Sequence, residues 1–281
     1  MPFAIRPNRF NWNYSSSAPA TSYGVSVIPG ASNVEGAWTQ IASAAQITDA
    51  VWEFELYVGG GNTTTESKEH LLDVGVDPAG GAAYSAVISN LACGQAAALT
   101  TGGGRRWRFP LEILSGSSVA VRIQGANATA GTVRVAGIFY GRPSAPELIK
   151  CGSFAETIGA ITNSSGVSFT PGNGADGAWT LLGVTTNHLW WWQIGVQCDN
   201  AAVAANIATS IDLAYGDATN KTIIIEDLVT LQTTAELFHS PQAQNCNCSV
   251  PAGTNIYIRS RASGAPDTGW NAVAVGIGGD A

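Results

Sequence analysis

Three histidines, five cysteines and 20 acidic side chains are the groups in this 281-residue chain that could serve as bases, nucleophiles or metal ligands. Their spacing does not assemble a reaction. His70, His188 and His239 stand far apart, His239 in a stretch read as a loop, and a metal centre needs several nitrogen, sulfur or carboxylate ligands brought together. Cys93, Cys151, Cys198, Cys246 and Cys248 are odd in number and irregularly spaced, which is not a disulfide framework. Cys246 and Cys248 lie too close for a CxxC motif. On a strand their thiols point the same way, as two small buried apolar residues. Asp73, Asp77, Asp212 and Asp217 fall near strand ends. They could hold calcium with loop carbonyls, or bond backbone amides as turn residues. Glu53 and Glu55 share one strand face, whereas a glycosidase sets two carboxylates across a sugar. They are expected to line a solvated face. The glycine runs 59–61 and 102–104, the second followed by Arg105 and Arg106, precede no helix and make no phosphate cradle. No serine sits in Gly-x-Ser-x-Gly. The expectation is therefore a chain without catalytic, cofactor or metal residues.

Composition narrows the classes further. A net charge of −7 from 13 basic and 20 acidic residues leaves no basic footprint for nucleic acid. Hydrophobic residues make up 45%, enough to build cores. No apolar run approaches the ~20 residues of a membrane helix. Arg6, Pro7, Asn8 and Arg9 interrupt the apolar residues at the start, so no secretory signal is read there and the chain is expected to fold in a cytoplasm.

The elements that carry these residues repeat. Gly24-Val25-Ser26-Val27-Ile28-Pro29-Gly30 recurs as Gly166-Val167-Ser168-Phe169-Thr170-Pro171-Gly172, and Gly36-Ala37-Trp38-Thr39 as Gly177-Ala178-Trp179-Thr180. Further along, 47–52 matches 185–190, 117–122 matches 254–259, and 135–138 matches 274–277. Five blocks in one order give two homologous units, 20–142 and 155–281, joined by a linker over 143–154 that holds Pro143 and Pro146. Strands are expected at 24–28, 37–42, 50–58, 70–76, 83–89, 107–114, 118–124 and 132–140, with turn residues between them. Residues 91–99, rich in alanine, could hold a turn or two of helix. The fold class is all-β: two tandem jelly-roll-like β-sandwiches behind an extended N-terminal arm, residues 1–19.

The arm carries Arg6, Arg9, Phe10, Trp12 and Tyr14, the residue types of interface anchors, and matches nothing in the second unit. It is expected to dock on a partner and to belong to neither sandwich. Val51-Trp52-Glu53-Phe54-Glu55 aligns with Leu189-Trp190-Trp191-Trp192-Gln193. Trp190 and Trp192 then take core positions, and Trp191 falls on the face that carries Glu53. Trp191 is expected to be a contact residue for another subunit, the sister unit or a sugar ring.

In organisation the chain resembles the structural proteins of tailed-bacteriophage virions: head decoration, head-fibre or tail accessory proteins. It is lysine-poor, mildly acidic and rich in Gly, Ala and Thr, with tandem all-β units behind an unpaired arm. The resemblance implies a non-enzymatic role in the virion, made in the bacterial host cytoplasm, as a homo-oligomer, commonly a trimer, among other virion proteins. The competing class is a carbohydrate-binding or lectin-like sandwich that meets glycans, including host glycans, through some of its nine tryptophans.

Overall fold

The computed structural model describes residues 9–13, 24–59, 69–94, 105–125, 132–141, 151–159, 166–198, 207–232, 237–239, 246–265 and 269–279. Within them the protein is all-β. The first unit contains β1 (Arg9–Asn13), β2 (Val25–Val27), β3 (Thr39–Ala42), β4 (Val51–Gly59), β5 (His70–Asp77), β6 (Ser85–Ala92), β7 (Arg105–Phe109), β8 (Ser118–Gly125) and β9 (Val133–Gly141). One sheet runs β1-β9-β4-β7, with β2 also on β9, and the other runs β3-β8-β5-β6. Alternation explains the stacking. Phe54, Leu56 and Val58 of β4 point to the same side, and there they meet Leu72 and Val74 of β5 and Val119 and Val121 of β8 in one core.

The second unit repeats this arrangement with β10 (Phe154–Ile158), β11 (Val167–Phe169), β12 (Gly172–Asn173), β13 (Thr180–Val184), β14 (Leu189–Cys198), β15 (Ile207–Gly216), β16 (Lys221–Gln232), β17 (Leu237–His239), β18 (Cys246–Val250), β19 (Asn255–Ala262) and β20 (Trp270–Gly278). Its sheets run β10-β20-β14-β18, with β11 on β20, and β12-β19-β15-β16-β17, with β13 on β19. Once the additions β12 and β17 are set aside, the strand order is that of the first unit. The two units are tandem homologous β-sandwiches. The second core gathers Phe169, Trp192, Ile211, Leu213, Ile256 and Trp270.

Three expectations change. Residues Arg9–Asn13 of the arm are not outside the sandwiches: β1 pairs antiparallel with β9, the place that β10 takes on β20. An edge strand is held by main-chain hydrogen bonds, which need no shared side-chain pattern. His239, read as a loop residue, ends β17. Leu91 and Ala92, which open the alanine-rich stretch, close β6.

Candidate functional site

Each sandwich carries the same cluster of tryptophan, arginine and acids on its second sheet. In the first, Asp73 of β5 and Arg122 of β8 are cross-strand partners. Arg122 donates from Nε and Nη2 to Asp73 Oδ2, both at 2.9 Å, and its Nη1 pairs with Glu35. The Trp38 ring lies over the guanidinium, with Cζ 4.4 Å from the centroid, which is cation–π distance. Trp38 also runs out over Gly75, where a Cβ would come within 2.7 Å of the indole. Only glycine leaves room for that ring. Burial and the Asp73 carboxylate push Glu35 above its ordinary range, while Arg122 pulls it down.

The second sandwich repeats the cluster with Asp212, Arg259, Asp176 and Trp179. Arg259 Nε donates to Asp212 Oδ2 at 2.8 Å, its Nη1 reaches Asp176 at 3.0 Å, and its Cζ lies 4.5 Å from the Trp179 ring. The outer surroundings differ. Tyr84 tilts against Trp38 with centroids 5.8 Å apart, whereas Lys221 Nζ lies 4.5 Å from the Tyr257 ring centroid and 5.9 Å from that of Trp179. In both, the second aspartate oxygen is taken by a main-chain amide: Asn90 to Asp73 at 2.7 Å, Asp227 to Asp212 at 2.9 Å. Asn90 and Asp227 have φ of 56° and 50°. Each sits by a register shift between its strand and the neighbour. Asn and Asp are the side chains that tolerate this left-handed geometry, and the bulge turns the amide onto the carboxylate. The result is a half-buried indole rimmed by a neutralised guanidinium. It clasps the preceding loop to the sheet, and it offers an aromatic face beside polar edges.

The four aspartates weighed for calcium are engaged by the protein itself. Asp73 and Asp212 hold the arginines. Asp77 accepts from the amides of Ala79 and Ala83, both at 2.9 Å, and Asp217 from those of Thr219 and Asn220 at 2.7 and 2.6 Å. These amides hold the Asp217 carboxyl low, at about 2. Among the described residues no group of three or more His, Cys, Asp and Glu is placed to hold a metal. Cys246 and Cys248 are half-buried against the second core. His188 Nε2 lies 2.6 Å from Ser249 Oγ.

The Glu face of β4 is not a wet one. Glu55 is 1% exposed, and Glu53 is partly buried. Arg106 and Arg108 of β7 pair with them, and Tyr57 Oη donates to Glu55 at 3.2 Å. Neutralisation by these arginines is what lets a carboxylate go inside. Burial pushes Glu53 up, and Arg108 opposes the shift.

Trp191, the aligned residue of the second sandwich, is 4% exposed and belongs to the first core. The outer face of its sheet lies on the first sandwich, so Trp191 touches the sister unit. Its ring meets Phe109 with centroids 6.0 Å apart. Gln193 Nε2 donates to the Arg108 carbonyl at 2.9 Å. Gln197 Oε1 accepts from the amides of His70 at 3.1 Å and Gly94 at 2.9 Å. Asn271 bonds Glu69, and Val273 packs on Leu71 and Ala92. Gly195 brings its backbone against Ala92, where a Cβ would stand 2.5 Å from the carbonyl oxygen. Sequence reasoning missed these glutamines, because a polar residue at a strand position reads as solvated. Arg6 and Tyr14 lie outside the described residues. For Arg9, Phe10 and Trp12 the structure gives the strand and not the side chains.

No family model matches the chain, and no curated protein matches it. Among solved structures it is similar to the N-terminal CBM22-1-CBM22-2 tandem domain from Paenibacillus barcinonensis Xyn10C, at 12% identity over 99% of this chain and 98% of that one, with a TM-score of 0.29. It is similar to N-glycanase F (PNGase F) at 11% identity over 90% and 94%, with a TM-score of 0.27. A peptide-N(4)-(N-acetyl-β-D-glucosaminyl) asparagine amidase gives 12% over 88% and 98%, with a TM-score of 0.28. Likenesses at this level carry no argument about function.

Proposed function

We propose that the protein is a non-enzymatic structural component of a larger assembly, of the tailed-phage virion type, acting as a homo-oligomer. The observation that carries this reading is the seam between the sandwiches. Trp191, Gln193, Gln197 and Asn271, groups that could serve a ligand, are spent on joining the units into one block. A jointed pair of modules would leave them free; a fixed block suits a building element. The few charges, 12% of residues, leave neutral area for contacts with neighbouring subunits. The test is recovery of the protein in gradient-purified particles, together with light scattering on the isolated protein. Stoichiometric presence and a mass of several chains support the reading. Absence from particles together with a strict monomer overturns it.

One observation favours a second reading, glycan binding. Trp38 and Trp179 are half-buried at equivalent positions, each with acids and an arginine at the edge, a format that can stack a sugar ring and bond its hydroxyls. Oligosaccharide binding that is lost in both Trp38→Ala and Trp179→Ala supports it. Binding unchanged in the double variant assigns the clusters to clasping alone.

A further inference from the structure

The seam joins two surfaces, and each of them occurs twice in the chain. The receiving surface is the end of β5 and β6, where Leu71 pairs with Ala92. Asp73 corresponds to Asp212 and Asn90 to Asp227, so the counterparts of Leu71 and Ala92 are Ser210 and Val229, which pair in the same way across β15 and β16. In the first sandwich Val273 covers this place. In the second it is an open groove of about 350 Å³, lined by Gly174, Thr209, Ser210, Val229, Arg261 and Ala262, with the added strands β12 and β17 beside it. Val229 is 53% exposed there.

The inserting surface is the outer face of β14 and β20, with Trp191, Gln193, Gly195 and Val273. Strand pairing gives its counterparts on β4 and β9: Trp191 faces Ile277 as Glu53 faces Tyr140, Gln193 faces Val275 as Glu55 faces Ile138, and Gly195 faces Val273 as Tyr57 faces Ala136. A contact of this kind uses two different surfaces. Repeated from chain to chain, it would grow into a filament, or into a ring where the rotation closes.

We propose that the groove of the second sandwich is another seam socket, matched to the β4–β9 face of a further copy of this chain, and that Glu53, Glu55 and Tyr57 keep that copy out. Gly195 seats because nothing stands on its Cα; Tyr57 puts a Cβ and a phenol at the corresponding point, against the main chain at Val229. Trp191 buries an indole on Phe109; Glu53 would instead carry a carboxylate and its Arg108 partner into the contact. Docking would strip the remaining water from Arg106 and Arg108, the exposed ends of the two ion pairs, a cost that the attraction to the buried carboxylates does not recover. The chain thus ends its own repeat after two sandwiches. The inference goes beyond the structural role proposed above and does not depend on which particle, if any, holds the protein.

The test converts the face to the seam residues in the full chain with the triple variant Glu53→Trp, Glu55→Gln and Tyr57→Gly, made in an Arg106→Gln, Arg108→Gln background so that no unpaired charge is left in the contact. With circular dichroism and melting showing a folded protein, light scattering is expected to give masses that climb with concentration above the wild-type mass, in multiples of it. Adding Val229→Arg is expected to abolish the growth. A folded triple variant with the wild-type mass at every concentration overturns the proposal, as does growth that Val229→Arg leaves untouched. If the triple variant does not fold, Glu53→Gln, Glu55→Gln and Tyr57→Gly in the same arginine-free background, which adds no bulk at residue 53, is read in the same assay. A concentration-dependent rise in mass sensitive to Val229→Arg supports the proposal, and an unchanged mass overturns it.

Discussion

Trp191 of β14 and Phe109 of β7 belong to different sandwiches and meet with ring centroids 6.0 Å apart and planes inclined by 56°. The separation is that of interacting aromatic pairs, and the tilt avoids a face-to-face sandwich. Because Trp191 is almost fully buried, Trp191→Ala removes an indole from the seam and leaves a cavity. The expected loss is about 3 kcal/mol or more. Urea unfolding is expected to split into two transitions, since the indole couples the sandwiches. A single transition at the wild-type midpoint would show that the seam does not depend on it.

Gly195→Ala probes the same seam by the opposite change. The added methyl would stand 2.5 Å from the Ala92 carbonyl oxygen, a backbone atom that cannot rotate away. The sheet must lift, which weakens the neighbouring Gln193 and Gln197 hydrogen bonds. Overpacking of this sort costs about 1–3 kcal/mol. Hydrogen exchange is expected to rise at the amides of His70 and Gly94, which Gln197 accepts. Protection unchanged at those two amides would mean that the seam absorbs the methyl.

The strands were largely legible in the sequence because alternation and turn residues are local signals. Expected strands 50–58, 70–76 and 118–124 lie within a residue or so of β4, β5 and β8. The block at 135–138 was aligned two residues too far along: Val25 pairs with Val135 as Val167 pairs with Ala272, so Val135 corresponds to Ala272 and not Ala274. A slip of two preserves the face of every side chain, which is why pattern alone could not detect it. The Trp38–Arg122–Asp73 cluster was legible in principle. All three residues recur in the second unit, and asking which polar residues the duplication repeats would have found it. The pairing of Glu55 with Arg106 was not legible, because it depends on which strand lies beside β4.

Arg122→Ala is expected to destabilise the first sandwich. Asp73 is 3% exposed and would keep one main-chain amide and lose its counter-ion. Breaking a buried pair from one side costs about 3–5 kcal/mol. Arg122→Lys is expected to recover only part of this, because an ammonium cannot reach Asp73 and Glu35 at once while lying flat under Trp38. Thermal melting of the two variants checks the order wild type, lysine, alanine. Equal melting of lysine variant and wild type would reduce the clasp to a point charge.

Cys151 gives a chemical check on the junction. Burial, with the Glu112 and Glu53 charges adding to it, pushes its thiol up to about 12. Its Sγ donates to the Trp52 carbonyl at 3.1 Å. The thiolate is the reactive form, so Cys151 is expected to resist a thiol reagent at pH 8 in the native protein and to react after denaturation. Modification of Cys151 at the free-cysteine rate without unfolding, read by mass spectrometry of its peptide, would show that this junction opens.

The last expectation concerns the acid dependence contributed by Glu53. Its carboxyl is pushed above the ordinary value of 4.5, chiefly by burial, with the Arg108 hydrogen bond and charge opposing. An acid raised on folding binds its proton more tightly in the folded state than in the unfolded one. Its contribution to stability is therefore fully present below the unfolded value near 4.5 and is lost as pH rises through the folded value. Glu53→Gln removes that proton-linked part. The stability difference, wild type minus variant, is expected to be most favourable to the wild type near pH 4 and to fall as pH rises toward 7. Paired melts of the two proteins at those pH values isolate the residue, because every other titrating group is common to both. A difference that grows with pH would mean that Arg108 outweighs burial and holds the carboxylate charged, and the direction assigned to Glu53 would then be reversed.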